Sequence, residues 1–116
     1  MSGVIFLRHN WRSQLKAKVI IEIKFSKCGL MRYISHLDLL RLFRRAASRA
    51  KIALELTRGF NPHPKISINR ALKLGEESDA LFCQFGLEAK MDTQEFASRL
   101  QQELPEGISI KQAKLI

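Results

Sequence analysis

The segment Arg58-Gly59-Phe60-Asn61-Pro62-His63-Pro64-Lys65 brings a guanidinium, an aromatic ring, an amide, an imidazole and an ammonium into eight residues. Each proline fixes its own φ at about −65° and has no N–H to donate. Each also turns the residue before it, Asn61 and His63, away from helical geometry. Gly59 frees the backbone ahead of the bulky Phe60. The expected product is a stiff loop that is neither helix nor central strand, and a stiff loop loses little entropy when it binds. Two readings compete. In one, Arg58, Phe60, Asn61, His63 and Lys65 touch a ligand. In the other the segment is a rigid connector, with Phe60 plugged into the core and His63 merely solvated.

A second set of reactive groups lies at Ser35-His36-Leu37-Asp38. If the proline loop folds over the start of the helix expected there, His36, Asp38 and His63 converge. A histidine pair is suited to general acid–base cleavage of RNA near neutral pH, and the same three residues could hold a divalent metal. The alternative is that His36 only ties the loop in place. No metal or other cofactor is assigned on this pattern.

A third feature is the run of arginines. Arg41, Arg45 and Arg49 recur at i, i+4 and i+8, with Arg44 beside them. On a helix this spacing makes a ridge of guanidinium groups. It reads either as a surface for phosphates or as a solvated face.

The elements that must position these groups follow from periodicity. From Lys18 to Phe25, the residues Val19, Ile21, Ile23 and Phe25 alternate with Ile20, Glu22 and Lys24, which predicts a strand with one buried face. Ser35 is an N-cap, Asp38 completes a capping-box-like pair, and Leu37, Leu40, Phe43, Ala47 and Ala50 form the expected buried stripe of a helix. Alternation predicts strands at Ile52–Thr57 and Ile66–Asn69, either one interrupted strand or a hairpin. Lys73–Asp79 reads as a connector and Ala80–Leu87 as a strand. Asp92 or Thr93 caps a second helix with the stripe Phe96, Leu100, Leu104, and a last strand begins at Ile108. The order strand–helix–strand–strand–helix–strand predicts an α+β, ferredoxin-like split βαβ fold, with two helices on one face of an antiparallel sheet.

Length and charge bound the rest. The chain has 116 residues, enough for one domain with its own core. Residues 18–116 are expected to form that domain, behind a basic arm at 1–17. The net charge is +9, divided as +10 over residues 1–51, +3 over 52–75 and −4 over 76–116. A basic first half suggests a face that attracts a polyanion. Cys28 and Cys83 are the only cysteines and form no Cys-x-x-Cys pair, so two reduced thiols in a cytoplasmic protein are expected. No apolar run approaches the ~20 residues of a membrane span.

The stretches Lys27-Cys-Gly-Leu-Met-Arg-Tyr-Ile-Ser-His-Leu-Asp38 and Gly59-Phe-Asn-Pro-His-Pro-Lys-Ile-Ser67 resemble a bacterial family of unknown function that is fused to, or associated with, radical SAM proteins. Leu74-Gly75, Glu77-Ser78 and Leu104-Pro-Glu-Gly107 also look like that family. The resemblance covers about residues 20–114, and it makes this chain similar to the first part of a longer member or to a short one. It implies a radical SAM protein as partner and is consistent with RNA modification. The cluster chemistry itself needs three closely spaced cysteines, which this sequence lacks, so any such cluster belongs to the partner or to another domain.

Three functions are therefore expected to compete. The first is an accessory module that binds tRNA or rRNA for a partner enzyme. Arg41, Arg44, Arg45 and Arg49 would take phosphates, and Phe60 or Tyr33 would stack on a base. The second is a histidine-based or metal-dependent enzyme. The third is a protein-interaction adaptor whose acidic C-terminal third docks a basic partner.

Overall fold

The computed structural model describes residues 17–68 and 78–116, with side chains for 17–68 and 81–116. The arm expected at 1–17, except Ala17, and most of the Lys73–Asp79 connector lie outside the described residues. Strand β1 runs Val19–Lys27, helix α1 His36–Arg49, β2 Ile66–Ile68, β3 Ser78–Leu87, helix α2 Thr93–Gln102 and β4 Ile108–Leu115. A short 3₁₀ turn, Gly29–Tyr33, links β1 to α1. The strands form one antiparallel sheet in the order β2-β3-β1-β4. This is the split βαβ, ferredoxin-like arrangement.

Both helices pack on the same face of this sheet. Ile21, Ile23 and Phe25 of β1 lie opposite Phe85, Cys83 and Leu81 of β3, and all six are buried. Four rings run through the core edge to face: Phe25 to Phe43 at 5.1 Å, Phe43 to Phe85 at 5.7 Å, and Phe85 to Phe96 at 5.2 Å. Phe85 of the sheet thus touches a ring from each helix. Such contacts are worth about 0.5–1.5 kcal/mol each beyond the area they bury. On the opposite face Glu22 and Gln84 are also buried, and Gln84 Nε2 donates to Glu22 Oε2 at 3.3 Å. Burial, and secondarily the Glu22 carboxylate, pushes the Cys83 thiol well above its usual range.

Helix α1 starts as expected, with Ser35 Oγ accepting the Asp38 N–H at 3.1 Å. Its buried stripe differs. Leu39, Phe43, Ala46, Ala47 and Ala50 face the core, while Leu37 is 53% exposed and Leu40 is half-buried. At 3.6 residues per turn, Leu37 points about 140° away from the middle of the true stripe. The helix ends without a glycine. The Ile52 N–H donates to the Ala47 carbonyl at 3.0 Å and the Lys51 N–H to the Ser48 carbonyl at 3.1 Å, with Lys51 at φ 57°. This is a Schellman motif whose left-handed position holds a lysine.

Helix α2 is capped by Asp92, which accepts the Glu95 N–H at 3.1 Å, and it buries Phe96 and Leu100. Leu104, expected in the same stripe, lies beyond the helix end and is half-buried. Arg99 of α2 donates to the carbonyls of Ala50 at 2.5 Å and Lys51 at 3.1 Å. It thereby satisfies the orphan acceptors at the end of α1 with a cation, the sign the helix dipole favours there.

The strand expected at Ile52–Thr57 does not form as a ladder. Leu54 makes a single bridge to Leu87, and Leu56 a single bridge to Pro64. The proline loop interrupts the edge strand at this point.

Candidate functional site

The loop leaves and rejoins the sheet at one residue. The Glu55 N–H donates to the Gly86 carbonyl at 2.8 Å, and the Gly86 N–H donates to the Lys65 carbonyl at 2.9 Å. Lys65 N–H in turn donates to the Glu55 carbonyl at 2.9 Å. Glu55 and Lys65 therefore share one register position, and residues 56–64 project from it as an excursion from the sheet edge. A Cβ at position 86 would lie 2.8 Å from the Ala17 Cβ and 3.1 Å from the Lys65 Cβ, so glycine makes room on β3 for Ala17 and for the Lys65 foot of the loop. The Lys65 ammonium also pairs with the Glu55 carboxylate, which it holds below the usual carboxylate range.

Above the feet the loop is closed a second time. The Thr57 N–H donates to the His63 carbonyl at 2.9 Å, and the His63 N–H donates to Thr57 Oγ1 at 3.2 Å. His63 Nδ1 lies 3.1 Å from the Asn61 carbonyl oxygen and 3.3 Å from Thr57 Oγ1. Gly59 takes φ 128°, a conformation that other residues rarely adopt. The two ties leave Arg58, Phe60, Asn61 and Pro62 exposed at the tip. Phe60 is wholly exposed, at 103% of its reference area, and Leu56, bridged to Pro64 lower in the loop, is 51% exposed. Phe60 is therefore not a core plug: Phe25, Phe43, Phe85 and Phe96 fill the core, and Phe60 stands outside it, while His63 is exposed as the connector reading expected.

The expected convergence of His36, Asp38 and His63 does not occur. Lys27, at the end of β1, leads into α1, so His36 and Asp38 sit at that end of the sheet. The proline loop enters beside Leu54 and Leu87, and Leu87 pairs with Val19 at the other end of β1. The two ends are separated by eight strand steps, about 26 Å. In a strand–helix–strand crossover the helix N-terminus follows the end of one strand, while the next connection feeds the start of its parallel mate. Among the described residues, no group of three His, Cys, Asp or Glu side chains could hold a metal ion. His36 is half-buried at the start of α1, and Asp38 pairs with Arg41 at 3.3 Å on the surface.

The arginine ridge divides. Arg41, Arg45 and Arg49 line a groove of about 560 Å³ between α1 and the end of α2, where Gln102, Glu103, Leu104 and Pro105 form the other wall. Arg44 does not line it. It lies about 100° round the helix from the middle of that row, half-buried, with its Nε lacking a partner among the described residues. Tyr33 is 55% exposed rather than in the core, with the Arg32 guanidinium 4.9 Å from its ring centre.

Reading the sequence missed Thr57 and Glu55, the residues that hold the loop. A signal existed for Glu55, the only acid among residues 52–75. Thr57 carried none, because its partner His63 is met only once the loop turns back.

The described residues contain no helix long and apolar enough to cross a membrane. Comparison with curated proteins and with solved structures found no match. A family profile, described as "Uncharacterized protein conserved in bacteria (DUF2344)", matches residues 21–116. That span takes in the whole sheet except the first two residues of β1, both helices and the stapled proline loop, and on it the chain belongs to this conserved bacterial family.

Proposed function

We propose that this domain is an RNA-binding accessory module, holding tRNA or rRNA for a partner enzyme of the radical SAM class. The observation that carries the reading is Phe60: a fully exposed aromatic ring on a loop tied at both levels. Exposing a phenylalanine forfeits roughly 1.5–3 kcal/mol of burial, and a pre-ordered ring is what an unpaired base needs for stacking. Arg58 stands two positions before it in the chain. Arg41, Arg45 and Arg49 supply a row of cations with a rise of about 6 Å per step along α1, suited to phosphates. Arg41 is partly neutralised by Asp38, so Arg45 and Arg49 carry more of the attraction. Lys65 is engaged by Glu55 and acts as a foot of the loop rather than a contact. The radical SAM partner rests on the resemblance of the two long motifs.

The experiment is fluorescence anisotropy with a short single-stranded RNA, titrated at several salt concentrations. Binding that falls with salt, and falls again on Phe60→Ala, supports the module. Equal binding by Phe60→Ala overturns it.

A second reading, the protein adaptor, is favoured by Leu30, 85% exposed, and Leu37, which lie with Tyr33 at the end of the sheet away from Phe60. Three exposed apolar side chains in one short stretch suit contact with a protein partner.

A further inference from the structure

We propose that His63 reads the bound strand through a bare Nε2, taking a hydrogen-bond donor from an RNA nucleotide whose base stacks on Phe60. The inference rests on the RNA reading above and adds to it the atom that recognises and the chemistry it recognises.

The argument begins with the Asn61 carbonyl, which can only accept. His63 Nδ1 lies 3.1 Å from that oxygen, so Nδ1 carries the hydrogen. Thr57 Oγ1, 3.3 Å from the same nitrogen, already accepts the His63 N–H and has a second lone pair to share with Nδ1–H. A proton on Nε2 instead would set the bare Nδ1 against the carbonyl lone pairs. The neutral imidazole is thus fixed as the Nδ1–H tautomer, and Nε2 becomes an acceptor. His63 is exposed, and Nε2 has no hydrogen-bond partner among the described residues. The backbone bond between Thr57 and His63 holds the ring three residues from Phe60 in a loop whose feet are fixed on Gly86.

An acceptor at this place discriminates. Phosphate oxygens offer no donor, so neutral His63 adds nothing to the attraction of the backbone. The donors on an unpaired nucleotide are the ribose 2′-OH and the base N–H groups. A 2′-OH contact lets a protein tell RNA from DNA.

The test has two arms. Long-range ¹⁵N–¹H spectra of the free protein, at a pH where the ring is neutral, read the tautomer with no ligand present. Nδ1–H is expected, and an Nε2–H tautomer overturns the inference alone. Binding is then measured for a 12-nucleotide polyuridylate and its 2′-deoxy counterpart, with wild type, His63→Asn and His63→Gln. Asparagine keeps an N–H near the Nδ1 position, and so the loop tie, but ends short of Nε2. Glutamine keeps an acceptor near Nε2. His63→Asn should lose about 3- to 10-fold in affinity, the worth of one hydrogen bond, and His63→Gln should recover part of it. A loss confined to the ribose strand identifies the 2′-OH, and an equal loss in both identifies a base N–H. Unchanged binding of both strands by His63→Asn overturns the inference. Failure of the wild type to bind either strand overturns the RNA reading and the ligand assigned here with it.

Discussion

Thr57 and His63 hold each other across the proline loop, each donating its backbone N–H to the other residue, at 2.9 Å to the His63 carbonyl and 3.2 Å to Thr57 Oγ1. They stand six positions apart, and between them lies the one phenylalanine that is wholly exposed among the described residues. The relationship converts a glycine- and proline-containing segment into a platform. It also assigns His63 first to the loop and only through the loop to a ligand.

Phe60 and Phe43 should respond oppositely to truncation. Phe43→Ala opens a cavity between the rings of Phe25 and Phe85 and should cost about 3–5 kcal/mol of stability. Phe60→Ala should leave the denaturation midpoint nearly unchanged and cost about 1–3 kcal/mol of RNA affinity, the worth of one stacked base. Urea melts and anisotropy on the same two variants check both halves.

The groove predicts the salt dependence. With Arg41, Arg45 and Arg49 each on one phosphate of a single strand, log K should fall against log[salt] with a slope of about −2. Arg45→Ala with Arg49→Ala should flatten it by about one to one and a half units. Arg44→Ala, off the row, should leave the slope where it was. A slope that responds to Arg44 as much as to Arg45 would place the strand on the other flank of α1.

The foot of the loop should be pH-sensitive. The Glu55 carboxyl is lowered in the folded protein by the hydrogen bond and charge of Lys65. A group lowered on folding stabilises above its unfolded pKa and loses that contribution as pH falls through the folded value. Between about pH 6 and pH 3, which spans the ordinary carboxylate range, the wild type should lose more thermal stability than Glu55→Gln. Parallel losses would show that the pair contributes nothing.

Lys51 occupies the position of a Schellman glycine, at φ 57°. A side chain there costs about 1 kcal/mol relative to glycine. Lys51→Gly should therefore raise the melting temperature by several degrees, the scale of about 1 kcal/mol for a domain of this size, with no change in RNA binding.

Much of the fold was legible in order and period. The alternation at Val19–Phe25 and Leu81–Leu87, and the caps Ser35 and Asp92, depend on neighbours within a few residues, so they survive as local statements. The stripe of α1 was misread at Leu37 because leucine is apolar on either face, and only the sheet decides which face it covers. The end of α1 was unmarked because a lysine stands where glycine is usual.

The stiffness of the Arg58–Lys65 segment was determined by the sequence alone, since proline and glycine act on their own dihedrals and those of the adjacent residue. Everything about where that segment points was decided by tertiary structure. Gly86 of a strand some twenty residues later gathers Glu55 and Lys65 to one register position, and this lifts Phe60 off the core. The crossover carries His36 and His63 to opposite ends of the sheet, although their spacing in the chain allows them to meet. The same helix turn that lines up Arg41, Arg45 and Arg49 along a groove sets Arg44 aside. Local propensity acts over a few residues, whereas these placements depend on hydrogen bonds and packing between segments that only the closed sheet brings together.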